Sequence, residues 1–310
     1  MPTLHYHGSG KTTLDDVPAR SPDQHERVVE IQYAGVNPLD VRLCRGAMDR
    51  GLTLPMIPGT EGSGTVDGLP VLVYGAGVGT AHDGTFRTTA VVPEAAIYHL
   101  PEDFDIVQGA ALGTAAVTAW SLVNTAARVS DGDAVLILGA TGGVGSIAVQ
   151  LAAAAGAQVW AQTAHSDKAE RLEAMGAFPV LADSPDELAA ALGTTRFNLV
   201  LDPLGGDYTG TALRRLKASG VILVFGTSSG AAGRIDFRNL YRNRARLIGY
   251  ASMKEAPSHV ARAIAALVDM VDRGVLVIPI HQVIPIDRAE DAFVELEART
   301  VFGKVVLGLR

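Results

Sequence analysis

The sequence predicts an α/β fold, in which a doubly wound parallel sheet is joined to a smaller, strand-rich domain. Three features carry that expectation. From about Asp105 onward, short apolar strands alternate with helices, as in a parallel sheet covered on both faces. One of these strands runs into a glycine-rich turn and then an uncharged helix. The first hundred residues instead carry strands broken by Gly and Pro. A length of 310 residues suits two domains of ~100–200 residues each.

Taken in order, Val29-Glu30-Ile31-Gln32-Tyr33 alternates apolar and polar residues, which predicts a strand with one buried face. Asn37-Pro38 opens a short helix, since proline suits the first helical position. Residues 55–64 hold too much Gly and Pro for regular structure, and 71–74 and 88–92 read as further strands. Residues 108–123 are alanine-rich and helix-like. Strands at 134–138, 158–162, 179–181, 199–201 and 221–225 then alternate with helices at 144–155, 168–175, 188–192 and 213–217. A last strand at 247–250, a long helix at 258–273 and a strand at 304–309 complete the chain.

Composition narrows the class. With 48% hydrophobic and 19% charged residues, the chain buries a sizeable core, which excludes a disordered chain. Cys44 is the one cysteine, so an intramolecular disulfide and a zinc site needing two cysteines from one chain are excluded. A net charge of −7 argues against general nucleic-acid binding. The first eight residues show no basic region followed by an apolar one, so no export signal is expected. The uncharged run 134–166 is interrupted by Gly142, Gly143 and Gly145, so no membrane span is expected either. The protein is read as cytoplasmic. His5 and His7 share one strand face without an apparent third ligand, and no metal is expected there.

The most informative stretch is Val135-Leu136-Ile137-Leu138-Gly139-Ala140-Thr141-Gly142-Gly143-Val144-Gly145. A helix N-terminus offers unpaired N–H groups and partial positive charge, which suits a pyrophosphate. Gly142 and Gly143 let the backbone approach the phosphates, and Gly145 lets the helix pack on the strand. Thr141 and Val144 complete the cradle. An NAD site usually carries an acid at the end of the second strand, ~20 residues on. Here Gln162-Thr163-Ala164-His165-Ser166 has none, and Ser166 and Lys168 suit a 2′-phosphate, so the expected cofactor is NADPH. Against this, Ser166 also reads as a helix cap and Lys168 as a solvated residue.

Several stretches share their order and spacing with a known family. They are residues 34–40 (Ala-Gly-Val-Asn-Pro-Leu-Asp), 58–64 (Pro-Gly-Thr-Glu-Gly-Ser-Gly), 111–120, the glycine turn, 202–206, 225–230 and 303–306. Together they resemble the zinc-independent branch of the medium-chain dehydrogenase/reductase superfamily, in its quinone oxidoreductase (zeta-crystallin-like) group. The resemblance runs nearly end to end. It implies a Rossmann domain at 108–251 inserted into a discontinuous GroES-like catalytic domain at 1–107 and 252–310, with the active site in the cleft between them. It further implies a homodimer or tetramer joined through the nucleotide-binding domains, with 247–250 as the pairing edge.

Zinc-dependent relatives carry ligands at the places of Asn37, Thr60 and Thr114, and none of these is a competent zinc ligand. Leu39 stands near their proton-relaying hydroxyl. Without a Lewis acid, alcohol oxidation loses its main electrostatic support, whereas hydride delivery to a conjugated acceptor needs less help. The resemblance places Asn37 against the nicotinamide ribose or substrate oxygen, though it equally reads as a helix N-cap. Thr118 matches a threonine beside the nicotinamide, and also reads as a buried helical threonine. Leu204, Phe225, Gly226 and Thr227 lie at strand ends where ligands meet parallel sheets. Lys304 either reaches cofactor or substrate or guards a strand edge.

Arg42, Tyr74 and Tyr250 compete with solvent as proton donor, Arg42 standing where many relatives carry an aromatic residue. The cluster Arg238, Arg242, Arg244 and Arg246 reads as a solvated face, a dimer edge or a phosphate contact. Asp183 is an unfavourable neighbour for a 2′-phosphate. The expected function is zinc-free, NADPH-dependent hydride transfer to a quinone. Reduction of an activated C=C bond (enone, 2-alkenal or enoyl thioester) is the alternative, and a non-catalytic NADPH-binding redox-sensing or structural protein is the alternative of another class.

Overall fold

The computed structural model describes residues 2–48 and 51–310. The chain divides into two compact units, Met1–Val117 with Glu255–Arg310, and Thr118–Lys254. Among the described residues, no helix is long and apolar enough to cross a membrane.

The first unit opens with an antiparallel hairpin of β1 (Pro2–Gly8) and β2 (Lys11–Asp16). Its sheet contains β3 (Glu26–Val36), β4 (Glu61–Val66), β5 (Leu69–Tyr74), β6 (Thr89–Pro93), β7 (Ile97–His99), β14 (Ile280–Pro285) and β15 (Lys304–Gly308). The strand order is β14-β15-β3-β4-β5-β7, with β6 pairing the start of β3. Val29, Ile31, Phe86, Phe293 and Leu307 pack the core beneath it. Two registers position everything that follows. Val305 lies opposite Val36, and Gly62 lies opposite Ala34. The end of β3 and the first residues of β15 and β4 therefore meet at one edge, which brings Lys304 and Glu61 beside Asn37.

The second unit is a parallel sheet of β8 (Ala134–Ile137), β9 (Gln158–Thr163), β10 (Ala177–Leu181), β11 (Phe197–Asp202), β12 (Leu216–Val224) and β13 (Arg246–Gly249). The order β10-β9-β8-β11-β12-β13 reverses direction at β8, with β9 on one side and β11 on the other. Ligands of such sheets bind outside the strand ends at this reversal. Leu136, Val200 and Ile222 are buried, and the Trp160 ring meets fully buried Phe197 edge-on at 5.3 Å.

Two expected helices differ. Residues 108–123 form no continuous α-helix. Ile106–Gly109 and Val117–Trp120 are α-helical, whereas Leu112–Ala116 and Ser121–Ala126 are π-helical. The π turn coincides with Gly113, which lies against the Tyr74 ring and the Glu61 carboxylate. Alanine content carries no sign of that tertiary demand. The expected helix at 213–217 is also displaced, since Gly206–Leu213 is helical and β12 already begins at Leu216. Apolar runs of this length do not separate helix from strand by period alone.

Phe197→Ala should cost ~3–5 kcal/mol of unfolding free energy by denaturant titration, as for other fully buried aromatic truncations.

Candidate active site

In the first unit, the side chains at the strand edge form one buried polar network. Glu61 is fully buried and Lys304 is 3% exposed. Lys304 Nζ donates to Glu61 Oε1 at 2.7 Å, Asn37 Oδ1 at 2.5 Å and the Val36 carbonyl at 3.1 Å. An ammonium has three donors and no acceptor, so all three are engaged inside the protein. Lys304 is thus buried and not a solvated edge guard, which corrects that expectation for it. Contact with the ammonium also fixes the Asn37 amide, because the atom facing it must be oxygen. Asn37 Nδ2 then donates to Glu61 Oε1 at 2.7 Å and Thr60 Oγ1 at 3.4 Å. The remaining carboxylate oxygen, Glu61 Oε2, accepts from Thr114 N at 2.8 Å.

Asp40 lies behind this group. Its Oδ2 accepts from Asn37 N at 2.8 Å and its Oδ1 from Thr60 N at 3.0 Å. Burial pushes its carboxyl up to about 6; the bond from Asn37 N opposes this, the Glu61 charge adds to it, and the Lys304 charge opposes it. Thr60 and Thr114 hydroxyls lie 3.4 Å apart, so the places of Asn37, Thr60 and Thr114 converge. Cys44 is buried elsewhere, its thiol pushed up to about 12 by burial. Arg42 is exposed on its helix, and Tyr74 is buried opposite Glu61 in the β4–β5 register. Asp40 and Glu61 carry no expected role from the sequence. Their signal was an acid set within apolar and glycine residues of a short element.

In the second unit, β8 runs into the glycine turn as expected. Gly142 caps the helix Gly143–Ala154, and Ser146 N donates to its carbonyl. The two outer glycines differ in their reasons. A Cβ on Gly145 would stand 2.5 Å from the Gly139 carbonyl oxygen and 2.7 Å from Ala140 Cα, so the helix needs glycine to pack. Gly142 has an ordinary φ of −75°, and its Cβ would meet only that same oxygen at 3.5 Å. Among the described residues, nothing requires glycine at 142. What it leaves clear is the exposed approach to the helix N-terminus, where a pyrophosphate fits. Thr141 is buried, and Gly143 and Val144 are partly exposed beside it.

Gln162, one residue before the end of β9, has a structural role. Its Oε1 accepts from Gly139 N at 2.8 Å and its Nε2 donates to the Ala182 carbonyl at 2.7 Å. Ser166 is exposed and opens a short 3-10 turn whose cap position is His165. Lys168 is buried, not solvated, and burial lowers its ammonium below the usual range, with Asp167 opposing. Asp183 is exposed. Asp202 shapes the loop bearing Leu204: its carboxylate accepts from Leu204 N, Gly205 N and Thr209 Oγ1. Phe225, Gly226 and Thr227 follow β12, with Phe225 N bonded to the Asp202 carbonyl. Thr118 donates to Ser252 Oγ at 2.8 Å, and Tyr250 is half-buried after β13. Arg238, Arg242, Arg244 and Arg246 are exposed. His5 and His7 contact Asp15 and Thr13 respectively.

Comparison with known proteins matches both units. Residues 23–102 match the alcohol dehydrogenase GroES-like domain, and 143–269 match the family described as zinc-binding dehydrogenase. Quinone oxidoreductase of Rattus norvegicus is 26% identical over 304 residues, covering 94% of this chain and 92% of the relative. Among solved structures, an NAD-dependent alcohol dehydrogenase superposes with a TM-score of 0.89 at 27% identity, over the whole of both chains. The quinone oxidoreductase of Thermus thermophilus, solved alone and with NADPH, gives 0.84 at 27% identity, again over both whole chains.

The second family description raises the question of zinc. Asn37, Thr60 and Thr114 offer an amide and two hydroxyls, where zinc takes thiolate, imidazole or carboxylate. The nearby carboxylates of Asp40 and Glu61 are committed to N–H donors. Among the described residues, no group of three or more His, Cys, Asp or Glu side chains is placed to hold a metal ion. The donor set does not fit zinc.

Gly142→Ala should leave the melting temperature nearly unchanged while weakening dinucleotide binding by about tenfold or more, whereas Gly145→Ala should lower the melting temperature. Calorimetric titration and thermal melts separate the two. Asp40 has a raised pKa in the folded state, so between about 3.8 and about 6 the native state binds more protons than the unfolded chain. Its contribution to stability therefore falls as pH rises through that window. The melting temperature of the wild type, relative to Asp40→Asn, should drop from pH 4 to pH 6.5 and level off above it.

Proposed function

Because the chain belongs to the medium-chain dehydrogenase/reductase superfamily of oxidoreductases, in its quinone oxidoreductase group, we propose that it is a zinc-free, NADPH-dependent quinone reductase. The observation that carries this reading is the space kept clear at Gly142, which the protein's own packing does not require. When bound there, the dinucleotide supplies the hydride from nicotinamide C4. Gly142, Gly143 and Val144 hold the pyrophosphate, and Ser166 with Lys168 receives the 2′-phosphate. The misfit to zinc favours an acceptor whose conjugation spreads the incoming negative charge, and a quinone does so most fully. The same reading extends to a homodimer. β13 is exposed along its whole length, with Leu247 and Ile248 uncovered, and a second copy paired along it would remove an open sheet edge.

Steady-state rates on quinone, enone and 2-alkenal panels test the acceptor; no quinone turnover above background sinks the quinone assignment. Pre-incubation with a strong chelator should leave the rate unchanged. Lys168→Met should raise the KM for NADPH by about tenfold and leave the KM for NADH nearly unaltered, as loss of one charge-assisted phosphate contact predicts.

A further inference from the structure

We propose that a cavity of about 530 Å³ in the second unit binds a small zwitterion with an apolar body, an apolar amino acid or dipeptide. The cavity lies between the helices Pro185–Leu192 and Gly206–Leu213 and the segment 234–236. Its size falls within the range of small-molecule sites, ~300–1,000 Å³. Arg214 lines it two helical turns beyond Asp207, ~10 Å further along at 1.5 Å per residue. The cavity therefore follows the helix flank away from the end of β11 and shares no residue with the glycine turn.

One wall is fixed in place by glycines. A Cβ on Gly210 would stand 2.1 Å from the Arg234 carbonyl oxygen, and one on Gly233 would stand 2.0 Å from the Gly206 carbonyl oxygen. The segment entering Arg234 thus lies in backbone contact with the helix beneath it. Arg234 N donates to Asp207 Oδ1 at 2.9 Å and its Nη2 to Asp207 Oδ2 at 2.8 Å, which clasps the same two pieces from the side. A wall held this way exists before any ligand arrives.

The charges on the lining select the ligand. Asp207 is taken by Arg234. Asp236 accepts from Arg238 N at 2.9 Å and Asn239 Nδ2 at 3.2 Å, with the Arg238 guanidinium 4.0 Å away. Two charged groups remain. Arg214 makes a single side-chain bond, from Nη2 to Thr211 Oγ1 at 2.9 Å, and Asp186 makes none among the described residues. A guanidinium only donates and a carboxylate only accepts. The complement of this pair is one molecule carrying an oxyanion for Arg214 and an ammonium for Asp186. Arg214 suits a carboxylate, whose two oxygens match the guanidinium fork. Pro185 and Ile235 line the same cavity and give the ligand's side chain an apolar surface to cover.

Ligand-observed NMR titration of the whole chain tests this with leucine and leucyl-leucine, which share the chemistry and differ in span. At least one of the two should bind at millimolar concentration, and which one does fixes the ligand's length. Leucine amide lacks the oxyanion, N-acetyl-leucine lacks the ammonium and glycine lacks the apolar body, so each should bind about tenfold more weakly or worse. The variants should give a crossed pattern. Arg214→Met should weaken the zwitterion by about tenfold or more while leaving leucine amide unchanged, and Asp186→Asn should do the same while leaving N-acetyl-leucine unchanged. A merely structural effect would weaken every ligand alike, and thermal melts establish that both variants are folded. No binding of either zwitterion overturns the proposal, as does equal binding of all five compounds or a uniform loss in both variants. Absence of quinone turnover in the wild type would sink the assigned reaction and leave these outcomes untouched.

Discussion

The Lys304–Glu61 pair is the constraint on which the first unit depends. It is separated by 243 residues in sequence and is almost wholly buried. Taking two charges out of water is costly, and such a pair persists only where further hydrogen bonds satisfy both partners. Here they do, because β15, β3 and β4 end at one edge and present Asn37, the Val36 carbonyl and Thr114 N to the two charges. Removing either partner would strand the other, at a cost of ~3–5 kcal/mol in comparable cases. The surface contacts that also join the two ends of the chain, Arg45 to Glu290 and Glu297 and Arg310 to Glu30, are solvated and contribute far less.

Much of the second unit was legible in its sequence because its signals are local. A parallel strand buried on both faces reads as an apolar run, and a glycine turn between strand and helix announces itself within about ten residues. The helix at Gly143–Ala154 follows from those signals. The first unit was less legible. Its hairpin and β14 carry mixed residues, and the π turn at Leu112–Ala116 answers to a carboxylate some fifty residues upstream. Lys304 illustrates the limit most plainly. A lysine opening a strand reads as solvated or ligand-facing, and only the register of β15 on β3 reveals an internal partner.

The candidate site divides in the same way. Gly142 and Gly145 carry one letter and two different reasons, separable only when the space around each is known. Ser166 and Lys168 were expected together at a phosphate, and the structure makes one exposed and the other buried. Asp40 and Glu61 sat within recognised motifs, yet their importance lies in what they accept from, which no spacing rule encodes.

Gln162 bears on how far the end of β9 can be varied. In many dinucleotide sites the strand end after the glycine turn is where the ribose is sensed, and an exchange of one residue there retunes preference. In this chain Gln162, one residue before that strand end, is a strut, clamped between Gly139 N and the Ala182 carbonyl. An acid at 162 could accept from Gly139 but could not donate to Ala182, so it would loosen the glycine turn. A side chain one residue before the strand end thus ties the glycine turn to the segment that follows β10. Ser166, exposed a few residues later, can be exchanged without touching that strut.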